Sequence, residues 1–218
     1  MSLVFYGHPF SSYTQKVLMA LYENDTPFEY RNLDPAFPEN GEEHRRLWPI
    51  RRFPVLVDGE VPVFESSIVI EYLDIHHRGR TRFLPADPDR ALHVRMMDRF
   101  FDNYVMGPMQ QVVFGRIHGN AEAFRTFEMP NELVTRAYAW LDKVMATREW
   151  AAGDAISMAD CAAAPSLFYA DWIEPIPAEY ANVRAYRARL LAHPSFARCV
   201  EEARPYRHYF PGGAPDQD

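Results

Sequence analysis

The sequence predicts an α+β fold, with a mixed sheet and its helices in residues 1–79 and helices alone in residues 88–218. Short apolar or alternating runs, typical of strands, stand in the first part, whereas the rest of the chain has only the spacing of amphipathic helices. The segment Gly79–Asp87 contains Gly, Arg, Pro and Asp without periodicity. We therefore expect residues 80–87 to link two separate cores.

The first part should contain, in order, a strand, a helix, a strand, a short helix, a hairpin and a helix. The expected bounds are Leu3–Tyr6, Ser11 to residue 23, Phe28–Leu33, Glu42–Trp48, residues 54–64 and Ser66–Arg78. The opening strand–helix–strand unit requires a right-handed crossover and parallel strands. Together with the hairpin it makes a four-stranded mixed sheet with helices on its faces, the arrangement of a thioredoxin-like domain.

The hairpin is the most strongly predicted element. Val55–Val57 is an apolar, mostly β-branched run, and Asp58-Gly59 suits a two-residue primed turn in which both central residues have φ > 0. Pro62 has no N–H to donate to the ladder, so the return strand should lie at the edge of the sheet.

The second part should be all-helical. Its expected elements are a long helix from Pro88 through Tyr104 with a kink at Gly107-Pro108, and helices around Leu133–Val144, from Ser157 onward, at Val183–Ala192 and at Pro194–Ala203. Ser157 and Asp160 have the spacing of a capping box, in which each side chain can serve a backbone N–H of the other.

The composition excludes several classes of protein. In 218 residues, 48% hydrophobic and 14% aromatic content excludes a disordered or fibrous chain. A net charge of −7 with scattered Lys and Arg argues against a nucleic-acid partner. No signal-peptide pattern or membrane-spanning run is present, so we expect a cytoplasmic protein without a membrane partner. Cys161, Cys199 and the eight His have no metal-ligand spacing, so no metal is expected.

A small-molecule site is predicted where the hairpin leads into the next helix. At a helix start, hydroxyl side chains can cap free N–H groups, and the helix dipole favours an anion. The ammonium of an amino acid end group would pair with the carboxylate of Glu65. Its carboxylate would accept hydrogen bonds from the hydroxyl and the backbone amide of Ser66. The alternative from these residues alone is a hairpin followed by an ordinary capped helix.

Four segments in chain order resemble the cytosolic glutathione transferase family. FPVL at residue 53 is similar to the family's cis-proline segment, and ESSIVIEYL at residue 65 to its glutamate-serine helix start. LPADPDRA at residue 84 is similar to its linker, and GDAISMADC at residue 153 to its helix-capping folding motif. The resemblance covers nearly the whole chain and indicates a serine-type bacterial member, with an active-site loop like those of the phi, theta, zeta and tau classes.

This resemblance implies roles for individual residues. Ser11 would be the catalytic serine, with Ser12 beside it. Further glutathione contacts would come from Arg52, Phe53 before a cis Pro54, Glu65 and Ser66. The second part would bind a small hydrophobic electrophile, for which the candidates are Phe10, Tyr104, Met106, Met109, Phe114 and Trp172. Glutathione would be the co-substrate, and the protein a homodimer whose helices from Glu65 and from Asp89 face their copies.

The chemistry expected of Ser11 follows from the thiol of glutathione. A thiol with a pKa of about 8.5 is mostly protonated at neutral pH, yet the thiolate is the nucleophile. A serine hydroxyl is too weak a base to take that proton. Ser11 would therefore donate a hydrogen bond to the sulfur, aided by the helix N-terminus behind it.

The sequence departs from the family pattern in several places. Trp48–Arg51 stands where many relatives have an asparagine-proline-x-glycine turn. Tyr13 replaces the cysteine of the zeta serine-serine-cysteine motif, and His8 replaces the cysteine of the omega-like motif, which disfavours thiol–disulfide exchange through a protein cysteine. Tyr6 ends the first strand, where a structural role is expected.

Two alternatives to glutathione conjugation stay open. The first is another glutathione-dependent reaction, isomerisation or dehalogenation, with which the Ser11-Ser12 pair is compatible. The second is a non-catalytic glutathione-binding or stress-related partner protein, because a fold does not determine a function.

Overall fold

The computed structural model describes residues 3–120, 129–216 and 218. The first elements are β1 (Leu3–Gly7), α1 (Ser12–Glu23), β2 (Phe28–Asn32), α2 (Pro38–Leu47), β3 (Val55–Asp58), β4 (Val61–Phe64) and α3 (Ser66–His76). They are followed by α4 (Pro88–Phe101), a π-helical turn (Asp102–Met106), α5 (Gly107–His118), α6 (Pro130–Met145), α7 (Met158–Ile173), α8 (Ala181–Ala192), α9 (Pro194–Ala203) and a 3₁₀-helix (Arg204–Tyr209).

The sheet has four strands in the order β2-β1-β3-β4, with β1 and β2 parallel and the other pairs antiparallel. This confirms the predicted mixed sheet of a thioredoxin-like domain. Pro62 lies in β4 at the sheet edge, as its missing N–H required.

Two local predictions in this domain are wrong. The second helix begins at Pro38 rather than Glu42, because proline suits the first helical position, where its missing N–H costs nothing. The hairpin turn is centred on Gly59-Glu60, since Asp58 still pairs with Val61. Only Gly59 has positive φ there (61°), so the turn has glycine where a type II′ turn needs it.

The helical domain packs around α7, which is buried from Met158 through Ala170 and contacts α1 and α4. Asp160 at its start is fully buried and accepts a hydrogen bond from the N–H of Ser157 at 2.8 Å, the aspartate half of the predicted capping box. A π-helical turn directly precedes Gly107-Pro108, where proline cannot donate to the carbonyl one turn back; the expected kink at this point stays a prediction. None of the helices in the described part of the chain is long and apolar enough to cross a membrane.

Candidate active site

A cleft of about 960 Å³ lies between the N-termini of α1 and α3 on one side and α4 and α5 on the other. Its lining brings together all seven residues that the sequence assigned to catalysis and glutathione binding: Ser11, Ser12, Arg52, Phe53, Pro54, Glu65 and Ser66. These residues come from three separate loops, so their convergence is a property of the tertiary fold.

Ser11 is the N-cap of α1. Its Oγ accepts a hydrogen bond from the N–H of Thr14 at 3.4 Å, a long and therefore weak bond. A hydroxyl that accepts keeps its own hydrogen for donation. Capping the helix and donating to a group in the cleft are therefore compatible roles for Ser11. Ser12 is more buried, and its Oγ lies 3.5 Å from Nε2 of Gln110 in α5.

The loop before Ser11 is held from behind by the helical core. Nε2 of Gln15 donates to the carbonyl of Pro9 and to the hydroxyl of Tyr169, both at 2.9 Å. Tyr169 in turn donates to the carbonyl of Phe10 at 3.1 Å. These bonds are made by α1 and α7, so the position of Ser11 depends on the packing of both domains.

The second loop contains the cis peptide bond Phe53–Pro54, as the resemblance implied. Phe53 precedes β3, whose pairing with β4 begins at Val55, so its peptide group is outside that ladder. His44 Nε2 lies 2.9 Å from the carbonyl of Arg52 and ties this loop to α2. Arg51 has φ 60°, in the left-handed region that glycine favours, so an arginine side chain stands here on a backbone that suits glycine.

The third loop ends at Glu65, the N-cap of α3. Its φ of 66° and ψ of 118° lie in a region that side chains rarely adopt, at a typical cost of about 1–3 kcal/mol. Such strain persists where the surrounding structure imposes it, most often at ligand sites. The Glu65 side chain is exposed, whereas Ser66, the first residue of the helix, is buried and has its N–H at the positive end of the dipole.

A buried ionic network lies directly beneath this helix start. The ammonium of Lys16, fully buried in α1, lies 2.7 Å from Asp98 Oδ1, 2.8 Å from Asp102 Oδ2 and 2.9 Å from Ser67 Oγ. Half-exposed Arg99 also contacts both carboxylates and Ser67, so two cations meet two anions. Burial raises the pKa of Asp102, although Lys16 acts to lower it. The network joins α1 and α3 to the helical domain.

His8 and the C-terminal segment form a wall that sequence reasoning missed. Nδ1 of His8 accepts from the N–H of Phe10 at 3.2 Å, so Nε2 carries the hydrogen toward Asp34 Oδ2 at 3.4 Å. Burial lowers the pKa of His8, and Asp34 opposes that shift. The hydroxyl of Tyr209 donates to the same carboxylate at 3.1 Å, and Tyr209 and Pro211 line the cleft.

The apolar side of the cleft includes three of the six predicted electrophile contacts, Phe10, Met109 and Phe114. Tyr104, Met106 and Trp172 lie outside its lining. Met106 is fully buried in the core, and the ring of Trp172 packs against Phe210 with centroids 5.1 Å apart. Val113 and Ile117 of α5 line the cleft instead. They are apolar and four residues apart, so they lie on the same face of a helix, and this spacing could have identified them from the sequence.

Other predicted features have ordinary structural positions. Tyr6 is buried in the sheet domain outside the cleft lining, and burial together with Glu43 raises its pKa to about 12. Cys161 and Cys199 are free and buried, and burial raises both thiol pKa values. Among the described residues, no group of three or more His, Cys, Asp or Glu is arranged to hold a metal ion.

Comparison with known proteins points to one family. The model of the glutathione S-transferase N-terminal domain matches residues 1–75, and that of the glutathione S-transferase C-terminal domain matches residues 131–189. A probable maleylacetoacetate isomerase of Vibrio cholerae is 27% identical, covering 94% of this chain and 98% of the relative. A glutathione S-transferase of Silene vulgaris is 25% identical, covering 92% of this chain and 97% of the relative.

Solved structures share the fold. A glutathione S-transferase from Sinorhizobium meliloti aligns with a TM-score of 0.77 at 23% identity, over 100% of this chain and 97% of that one. Poplar glutathione transferase F1 aligns with a TM-score of 0.76 at 17% identity, over 94% of this chain and 99% of that one. Both domain models match in chain order on a shared fold, and the chain therefore belongs to the cytosolic glutathione transferase family.

Proposed function

We propose that this protein is a serine-type glutathione transferase that activates glutathione as a thiolate for attack on a small hydrophobic electrophile. Residues 1–79 would bind glutathione, residues 80–87 link the domains, and residues 88–218 supply much of the electrophile pocket. The observation that carries the proposal is the convergence of two helix N-termini, at Ser11 and at Glu65-Ser66, on one cleft. Detoxification of such electrophiles would be the biological role.

The two helix starts match the two ends of the γ-glutamyl-cysteinyl unit. The γ-glutamyl carboxylate would accept from the N–H and hydroxyl of Ser66, because a helix N-terminus favours an anion. Its ammonium would pair with the exposed carboxylate of Glu65. The peptide group of Phe53 would bond to the cysteinyl backbone as a strand does, and Arg52 would pair with the glycyl carboxylate.

Ser11 would act on the sulfur. Its hydroxyl hydrogen is not required by the weak cap bond to Thr14, so it can be donated to the thiolate. The thiol proton leaves to solvent, and the sulfur lone pair forms a bond to the electrophilic carbon while the leaving group departs with its electron pair. The apolar side chains of Phe10, Met109 and Phe114 would hold the electrophile beside the sulfur.

Titration calorimetry with glutathione, followed by conjugation assays on aryl halides and other electrophiles, tests this proposal. We expect binding and turnover by the intact protein. Binding of glutathione without turnover across the panel would favour the non-catalytic alternative. Failure to bind glutathione at all would overturn the assignment of the cleft.

Glutathione-dependent isomerisation is a second candidate. Relatives from Vibrio cholerae, Drosophila melanogaster and Dictyostelium discoideum, 27%, 25% and 23% identical, are described as maleylacetoacetate isomerases or probable ones. In such a reaction the thiolate adds to a double bond and leaves again after rotation, so glutathione is not consumed. Assay of maleylacetoacetate with catalytic glutathione distinguishes the two: isomerisation without thiol loss identifies this activity, whereas thiol consumption with aryl halides identifies the transferase. Dehalogenation would instead release halide from haloalkanes.

We also propose a two-fold homodimer formed through α3 and α4. Four large aliphatic side chains on these helices are exposed: Ile68, Ile75, Leu92 and Met96. Leu92 is 65% exposed and Ile75 59%. An apolar face of this kind is usually covered by a partner, and a two-fold axis covers it with its own copy.

A further inference from the structure

His8 makes three hydrogen bonds to the segment that carries Ser11. Its backbone N–H donates to Oγ1 of Thr14 at 3.3 Å, and its carbonyl accepts from the N–H of Ser11 at 2.9 Å. Its ring nitrogen Nδ1 accepts from the N–H of Phe10 at 3.2 Å. Because Thr14 is also the donor to the Ser11 hydroxyl, all three bonds fix the backbone around that hydroxyl.

The peptide group between Pro9 and Phe10 is held at both of its polar ends. Its N–H donates to Nδ1 of His8, and its carbonyl accepts from Nε2 of Gln15 at 2.9 Å. A peptide group is planar, so its N–H and its carbonyl cannot turn independently. The orientation of this peptide, one residue before Ser11, therefore depends on the ring of His8.

The bond from Phe10 defines which form of His8 this loop needs. A ring nitrogen that accepts a hydrogen bond carries no hydrogen, so the imidazole is neutral and has its hydrogen on Nε2. That hydrogen points to Oδ2 of Asp34, and the two heavy atoms are 3.4 Å apart. In the protonated ring, Nδ1 also carries a hydrogen, which would meet the N–H of Phe10 as donor against donor. The neutral ring therefore stabilises the loop, whereas the protonated ring does not.

The groups around the imidazole decide which side yields when it is protonated. Asp34, in the loop between β2 and α2, is the charged group in contact with the ring, and a bond from a backbone N–H chiefly lowers its pKa. The 3₁₀-helix adds the phenols of Tyr206 and Tyr209, whose ring centroids lie 4.8 and 5.7 Å from that of His8. Burial lowers the pKa of His8, and Asp34 opposes that shift. A protonated ring would stay paired with the Asp34 carboxylate, so the Phe10 peptide has to move.

We propose that neutral His8 is a positioning residue for Ser11: it fixes the Pro9–Phe10 peptide, and protonation of Nδ1 releases that peptide and displaces the Ser11 hydroxyl from the glutathione sulfur. This role rests on the proposed function, in which Ser11 donates to the thiolate. Activity at acid pH then falls for two reasons, protonation of the thiol and protonation of His8. The second does not require glutathione, since it acts on the loop of the free protein.

Nuclear magnetic resonance of the ¹⁵N-labelled free protein tests the loop first. Spectra of the imidazole rings should show His8 as the Nε2–H tautomer at about pH 7.5, with a titration midpoint below the usual pKa of about 6.5. The backbone amides of Phe10 and Ser11 should shift with the same midpoint. His8→Asn removes the ring signals of His8 and so identifies them among those of the eight histidines. An Nδ1–H tautomer at that pH, or amides that do not follow His8, would overturn the proposal.

Two variants of similar shape isolate the acceptor at Nδ1. Asparagine has Oδ1 at the same number of bonds from the backbone as Nδ1, so His8→Asn can accept from Phe10 but cannot be protonated at mildly acid pH. His8→Leu has no acceptor, and both variants lose the contact with Asp34. With glutathione and an aryl halide, the kcat/KM of His8→Leu should be roughly 3- to 10-fold below that of His8→Asn, the equivalent of one neutral hydrogen bond.

The dependence on pH separates the effect of His8 from that of the thiol. Protonation of the bound thiol lowers the rate of the parent and of His8→Asn alike, so it cancels in the ratio of their kcat/KM values. The ratio of His8→Asn to parent should rise as the pH falls through the midpoint of His8, because only the parent then loses its bond to Phe10. A ratio that is independent of pH, or equal rates for His8→Asn and His8→Leu, would contradict the assigned role.

A double-mutant cycle shows whether His8 acts through Ser11. In the Ser11→Ala background, the difference between His8→Asn and His8→Leu should nearly disappear, because the hydroxyl that the loop positions is absent. A difference that persists in full would assign His8 a structural role instead. Failure of the parent to bind glutathione in calorimetry would overturn the proposed function, and the role of His8 with it, even where the free protein shows the expected titration.

Discussion

Replacing Ser11 by alanine is the most direct test of how the cleft activates a thiol. The substitution removes the hydroxyl but keeps the N-terminus of α1, so it separates the hydrogen bond from the dipole. A charge-assisted hydrogen bond contributes roughly 1.5–3 kcal/mol, which corresponds to a shift of about 1–2 pKa units in bound glutathione. Loss of the weak cap bond at 3.4 Å should cost at most about 1 kcal/mol of stability.

The thiolate is titrated by its ultraviolet absorbance in the glutathione complex of each variant. The bound thiol of Ser11→Ala should have the higher pKa, by about 1–2 units. Below both pKa values, the thiolate fraction in Ser11→Ala is lower than in the parent by tenfold for each unit of the pKa difference. A more basic thiolate is also more nucleophilic, with a Brønsted coefficient of about 0.4–0.5, which offsets part of this loss. The combined loss of kcat/KM at about pH 6 is therefore roughly 3- to 16-fold. Above both pKa values the order should reverse, because both thiols are then fully ionised and the more basic thiolate of the variant reacts about 2.5- to 10-fold faster.

Ser12→Ala is the matched comparison, since it removes the adjacent hydroxyl from the same helix start. Its thiolate titration should stay close to that of the parent. Superimposable titrations for the parent and Ser11→Ala would refute the assigned role of Ser11. A shift found in Ser12→Ala instead would transfer that role to its neighbour.

Three further predictions concern stability and assembly. Lys16→Met leaves two buried carboxylates with a single half-exposed arginine and should lower the free energy of unfolding by about 3–5 kcal/mol, measured in urea. Asp58→Asn removes a carboxylate whose pKa is lowered by the hydrogen bond from His77. The carboxylate should contribute about 1 kcal/mol to the free energy of unfolding above about pH 4, and this contribution should disappear as the pH falls through the lowered pKa. A pH-independent difference would contradict this. Leu92→Glu should give a monomer in light scattering. The control Ile50→Glu, at an equally exposed position outside the two helices, should leave a dimer. If each of the two single variants is a dimer, the α3–α4 interface is excluded.

Much of this protein could be predicted from local sequence because the responsible physics is local. A proline has no N–H for the hydrogen bonds between strands, so Pro62 alone predicted that its strand lies at the edge of the sheet, where β4 is found. Serine before an apolar helical pattern marks a cap, so Ser11 as the N-cap of α1 followed from residue type. The errors were local as well: the turn moved one residue because strand register, rather than the favoured dipeptide, decided which residues pair.

Tertiary packing decided what sequence patterns leave open. Met106 and Met109 are both buried and close in sequence, yet only Met109 also lines the cleft. Tyr209 reaches the cleft only because the chain end folds back onto Asp34. Residue type and short-range spacing thus determined the elements and the four segments that resemble the glutathione transferase family, whereas the cleft wall and the buried Lys16 network arise from contacts between distant segments, which have no local signal.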